Sequence, residues 1–253
     1  MEYVRLGKTN LVISRVAFGA MRLSSDVGVD NASSIVRNAY NSGINFFDTS
    51  SKIPETEKLL GDSLFDIRRF VCLSTATSSK TPADICQDLD NSLMNLHCDY
   101  VDLFQFETEK FIPLPSGVDN IYDTFLKLKN LSKINHIGIV TTNFETAIKA
   151  VESGCYETIQ FPFSVISPEL VLELVKKCEE QGVGFIAMQP LGGGVVDNIP
   201  IAFGFLQQYE NVIPIWGIKT QAELEQILYF NEHPPVIDEK FNEDVEHYRN
   251  FFN

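Results

Sequence analysis

Apolar positions along this chain alternate between two patterns. Short runs rich in β-branched and aromatic residues fall at 16–20, 45–50, 70–75, 101–107, 136–142, 158–163, 184–189 and 212–218. Several of them, FFDTS and DLFQF among them, are apolar nearly throughout, as strands buried on both faces are. Between them lie amphipathic stretches of helical length, at 31–42, 82–96, 145–153, 168–181 and 222–231. The punctuation agrees with this division. Asn31 and Thr81 read as helix N-caps, Pro82 suits a first helical turn, and Gly43, Gly154 and Gly182 sit where helices should end. A hairpin over 2–15, turning at Lys8-Thr9-Asn10, precedes the first run, and the acidic tail from about Val236 reads as one more helix across the barrel.

Eight strand-then-helix alternations with short connections predict a closed parallel (β/α)₈ barrel with an N-terminal β-hairpin, the whole of 1–253 forming one domain. In such barrels the chemistry gathers at the C-terminal ends of the strands. That rule points to Arg22, Asp48, Ala76, Glu107, Thr141, Gln160 and Lys219 before any motif is considered.

Composition narrows the partners. A formal net charge of -14 disfavours nucleic acid and anionic membrane, both of which repel an acidic surface. The start MEYVRLGKTN lacks the basic and apolar regions of a secretory signal, and no apolar run reaches the ~18 residues of a membrane span. The five cysteines are widely spaced with no C-x-x-C pair, which fits reduced thiols in a cytoplasmic protein and offers no metal site. The expected partner is a small molecule.

The strand ends carry a family resemblance. VRLGKTNLVISRVAFGAMRL, GINFFDTS followed by TEKLLG, SLMNLHCDYVDLFQ, INHIGIVTTN, ETIQFPF, GFIAMQPLGGG and IPIWGIKTQAELEQIL resemble, in order, the segments of aldo/keto reductases. The resemblance covers essentially the whole chain. It implies the barrel fold and a site built from an aspartate, a tyrosine, a lysine and a histidine. In that family the tyrosine protonates the substrate carbonyl, because a lysine beside it tunes a phenol whose ordinary pKa is near 10.

Of these four residues only Asp48 is present. Ile53 stands at the tyrosine position, Ala76 at the lysine position and Glu107 at the histidine position. Lys52 and Lys80 lie near the vacated positions and read as solvated side chains rather than substitutes. The resemblance also implies NADP(H) across the barrel mouth. Thr141 and Gln160 would lie at the nicotinamide, Gly192 and Gly193 at the pyrophosphate, and Lys219 and Thr220 at the adenosine end. Val140 and Thr141 alter the nicotinamide contacts, Glu223 faces the phosphate position, and Ile227 replaces an adenine-contacting asparagine, so weak or absent NADP(H) binding is expected.

What remains is Asp48 and Glu107, in a mouth made more apolar by Ile53 and Ala76. Two carboxylates there without a fixed cation should have separated pKa values, one raised toward neutrality, as in acid–base pairs. Arg22 is expected either to pair with Asp48 or to hold a substrate carboxylate. The leading expectation is a non-redox enzyme of dehydratase, isomerase, cyclase or lyase type, with Glu107 as acid–base residue and Asp48 as its partner. The alternatives are an NADP(H)-dependent carbonyl reductase with an unorthodox proton donor and a non-catalytic ligand- or protein-binding relative.

Overall fold

The computed structural model describes residues 1–23 and 29–252. Strands β1 (Tyr3–Arg5) and β2 (Val12–Ser14) pair antiparallel as the expected hairpin. Eight parallel strands then close on themselves: β3 (Ala17–Gly19), β4 (Phe46–Asp48), β5 (Cys72–Thr77), β6 (Val101–Glu107), β7 (Ile134–Val140), β8 (Thr158–Pro162), β9 (Gly184–Met188) and β10 (Val212–Gly217), with β10 returning to β3. The helices are α1 (Val29–Asn41), α2 (Pro54–Leu64), α3 (Pro82–Asn95), α4 (Ile121–Asn130), α5 (Phe144–Glu152), α6 (Leu170–Gln181), α7 (Ile199–Gln207), α8 (Gln221–Glu232) and α9 (Glu239–Phe252). Among the described residues, no helix is long and apolar enough to cross a membrane.

The local signals act mostly as expected. Thr81 accepts a hydrogen bond from the Asp84 amide at the start of α3, and Gly182 ends α6 at φ 66°, a conformation that costs glycine little. Asn31 does not cap α1: the helix begins at Val29, so Asn31 lies inside its first turn. Strand β7 stops at Val140, because the Thr141 hydroxyl bonds Glu109 and the chain turns there into the cap of α5. Helix α7 (IPIAFGFLQ) is apolar on nearly every side and shows no helical stripe; α9 covers it, with Phe241 against Gly204.

Inside the barrel two kinds of layer lie one above the other. Toward the N-terminal ends of the strands, Leu6 and Ile13 of the hairpin pack against Phe46, Leu103, Ile186 and Ile213. The hairpin thus plugs the lower opening with a dry core. One layer higher the inward positions are polar, and the functional site begins there.

Candidate active site at the barrel mouth

Asp48, the last residue of β4, is 1% exposed. Its Oδ2 accepts from Gln160 Nε2 at 3.3 Å, and Ser74 of β5 bonds it as well. Gln105 of β6 links the same group, donating to Gln160 Oε1 at 2.6 Å and to Ser74 Oγ at 3.1 Å. Room for that buried amide comes from Gly138 on β7. A Cβ there would lie 2.2 Å from Thr158 Oγ1 and 2.9 Å from Gln105 Oε1. Asp48 Oδ1 has no hydrogen-bond partner among the described residues. Burial pushes the Asp48 carboxyl up from 3.8 to about 7, against the opposing effect of its Ser74 and Gln160 bonds.

Glu107 belongs to a different layer. Asp48 is in register with Ser74, and Ser74 with Leu103, so Glu107 lies four residues farther along its strand, about 13 Å of chain at ~3.3 Å per residue. Its Oε2 is 2.7 Å from Lys52 Nζ, and its backbone carbonyl accepts from Lys80 Nζ at 3.0 Å. The loops after β4 and β5 therefore converge on Glu107 at the end of β6, Lys52 on its carboxylate and Lys80 on its backbone carbonyl. This corrects two expectations: the rim does carry a fixed cation, and Lys52 and Lys80 are not merely solvated. Both loops reach inward because they are short and tied to the strand ends. The Ser51 amide bonds the Ala76 carbonyl, and Ser50 Oγ accepts from the Lys52 amide. The expected Asp48–Glu107 pair is not formed; each carboxyl group has its own partners.

The other expected substrate residues are dispersed. Ala76 is buried in the barrel wall, and Ile53 is the half-buried N-cap of α2, where its carbonyl accepts from the Thr56 and Glu57 amides. Arg22 pairs with neither Asp48 nor an open site. It donates to the Gly217 carbonyl at 3.0 Å and lies 3.6 Å from Glu223, because both residues border the β3–β10 seam.

That seam forms the wall of a groove of about 430 Å³ whose lining includes Gln160, Leu191, Gly193, Gly217, Glu223 and Ile227. A side chain at Gly193 would meet nothing within 4 Å, so bare backbone faces this space, whereas a Cβ on Gly192 would strike Ile166. Several of the groups expected to meet NADP(H) are engaged within the protein. The Glu223 carboxylate accepts from the Lys219 amide at 2.6 Å and the Thr220 amide at 3.2 Å, while Thr220 Oγ1 accepts from the Glu223 amide. This capping box satisfies and neutralises the helix end where an anion would otherwise bind. Thr141 donates its hydroxyl to Glu109 at 3.1 Å, and Gln160 has both ends of its amide engaged within the Asp48 layer.

Sequence reasoning passed over Gln105 and Ser74, and read Lys52 as solvated. A signal for the first did exist: Gln105 shares the inward face of β6 with Leu103 and Glu107, and a polar residue in that row has to find a partner. Lys52 and Lys80 carried none, since the reach of a lysine from a loop depends on the loop's path.

The chain is similar to known proteins over most of its length. Residues 15–200 match the model of the aldo/keto reductase family. It is 30% identical over 214 residues to an L-galactose dehydrogenase of Arabidopsis thaliana and 24% identical over 225 residues to a probable aldo-keto reductase of Glycine max. These matches cover 78% and 79% of this chain and 67% and 64% of the relatives, about two thirds of their length. In three dimensions it resembles the holo form of an aldo-keto reductase from Bacillus halodurans, with a TM-score of 0.86 at 18% identity, over 98% of this chain and 96% of that one. With its closed eight-stranded barrel and a family match across most of its residues, the chain belongs to the aldo/keto reductase family.

Proposed function

We propose that this protein is a small-molecule enzyme that moves protons rather than hydride, by carboxylate acid–base chemistry at Glu107. The observation that carries the reading is the pairing of Glu107 with Lys52 at 2.7 Å, with Lys80 beside it, on the rim where family members act. A carboxylate and an ammonium side by side divide the work of enolisation. Glu107 takes a proton from the carbon next to a carbonyl, and the Lys52 ammonium, released from the ion pair, stabilises the charge growing on the oxygen. Returning the proton elsewhere gives an isomerase; losing a β-substituent gives a dehydratase or lyase.

Asp48 supports this site without touching substrate. Being 1% exposed and bonded to Gln160 and Ser74, it is a positioning residue that fixes the polar floor below the mouth. The five free cysteines accord with a reducing, cytoplasmic setting. The test is the Glu107→Gln variant. It keeps size and polarity but cannot ionise, so α-proton exchange should fall at least about a hundredfold with KM little changed. Full exchange activity in that variant overturns the role.

A carbonyl reductase with an unorthodox donor is the second reading, favoured by the groove beside Gly193 and by the oxidoreductase names of the relatives. Calorimetric titration with NADPH separates the two. Binding at low micromolar concentration or tighter supports the reductase; absence of binding supports proton transfer.

A further inference from the structure

We propose that the groove beside Gly193 holds the apolar, uncharged body of a carbonyl substrate, an aryl or alicyclic ketone, and is not a dinucleotide site. The proposal rests on the proton-transfer reading and deepens it, since it names the substrate class.

The groove has the size of a small-molecule pocket, about 430 Å³, and its lining is mainly carbon. Met21, Met188, Leu191, Ile199, Ile215 and Ile227 supply much of it. Among the described residues its charged side chains are Arg22 and Glu223 alone. They lie 3.6 Å apart, and Arg22 also donates to the Gly217 carbonyl, so the two charges offset each other and leave no free cation for a phosphate. The backbone amides around the groove are occupied too. Gly192 donates to the Gln189 carbonyl at 2.8 Å, and Gly194 and Val196 donate to the Leu191 carbonyl at 2.9 and 3.1 Å. Asn198 caps the first turn of α7 by accepting from the Ile201 amide at 3.1 Å, and Pro200 in that turn has no N–H. Glu223 closes the first turn of α8.

That setting suits a ring better than a pyrophosphate. Taking an anion out of water without donors or a counter-charge is costly, whereas covering apolar surface is favourable. A side chain at Gly193 or Gly194 would meet nothing within 4 Å, so bare backbone borders the groove there and a flat ring can lie against it. The groove also reaches toward the proposed base. Glu107 is in register with Val140, and Val140 with Gln160, which lines the groove. Two strand spacings of ~4.8 Å separate the Glu107 and Gln160 backbones, about 10 Å in all. Two fused rings bearing an acyl group span that distance. The rings then occupy the groove while the carbonyl and its α-carbon meet Lys52 and Glu107 at the rim.

The experiment is an NMR titration of the full chain, carrying ¹³C in its methionine methyl groups, with 2-acetylnaphthalene as the probe. Of the four methionines, Met21 and Met188 line the groove, whereas Met94 lies exposed on α3. The Met21 and Met188 signals should shift with a dissociation constant on the order of 100 μM, and Met94 should stay fixed. Leu191→Asp places a charge on the apolar wall and should weaken binding at least about tenfold. Met21→Asp, at an exposed position the fold tolerates, should weaken it about threefold or more. The analogue 6-acetyl-2-naphthoate puts a carboxylate at the far end of the same rings and should bind at least about tenfold more weakly than the ketone. No shift at Met21 and Met188, equal binding of ketone and carboxylate, or displacement of the ketone by low-micromolar NADPH overturns the proposal. The two readings fail separately. Groove shifts with no deuterium entering the acetyl group keep the ketone site and remove the role of Glu107; Glu107-dependent exchange without groove shifts removes only the ketone site.

Discussion

Asp48 and Glu107 stand two strands apart, at the same end of one barrel, and their surroundings have little in common. Asp48 is sealed beneath the mouth among neutral amides and a hydroxyl, with one oxygen lacking a partner among the described residues and its carboxyl pushed up to about 7. Glu107 is half-buried, ion-paired with Lys52 and within reach of Lys80. The difference comes from height along the strands. One layer down, inward side chains can meet only other strands; at the rim, the loops bring in long flexible cations. Burial without a counter-charge destabilises an ionised group, whereas partial exposure with an adjacent cation leaves it available for chemistry.

The contrast is broken most strongly by Asp48→Asn. A carboxyl with a folded pKa above its unfolded value binds an extra proton when folded, so its stability contribution is complete below about pH 4 and is lost as pH rises toward 7. The rise from 3.8 to about 7 is worth up to about 4 kcal/mol. Urea unfolding should show Asp48→Asn more stable than wild type at pH 8 by a few kcal/mol, with the gap closing near pH 4. An equal gap at both pH values would mean that Asp48 ionises normally in the fold.

A smaller effect is expected of Gly138→Ala. The added methyl group would meet Thr158 Oγ1 and the Gln105 amide, and overpacking of this kind costs about 1–3 kcal/mol. It strikes the Asp48 layer and not the rim, so thermal unfolding should shift while Glu107-dependent proton exchange persists. The smallest change in stability belongs to Lys52→Met. Side chains 48% and 33% exposed form a pair worth less than ~1 kcal/mol, so unfolding should barely move while proton exchange drops. Unchanged exchange in that variant would reduce the Lys52–Glu107 pair to surface decoration.

The barrel was legible in the chain because its signals are local and repeated. Eight apolar runs, most of them followed by helix-length amphipathic sequence, with Pro82 or Gly182 as punctuation, admit few other folds. The residues that end the strands were legible for the same reason. Pairings were not. Whether Arg22 meets Asp48 or Glu223, and whether Lys52 faces water or Glu107, depends on loop paths that no periodicity encodes. The buried Gln105–Gln160 bond likewise joins residues 55 apart, brought together only by barrel closure.

The central claim is that the mouth moves protons with Glu107 and needs no nicotinamide. It is tested most directly by incubating the wild-type protein with small aldehydes and ketones in D₂O without added cofactor, and following the α-hydrogens by NMR. The account predicts deuterium entering the α-carbon of at least one compound, at a rate that Glu107→Gln lowers at least about a hundredfold. No exchange with any compound, together with NADPH-dependent reduction of the same compounds, would contradict it.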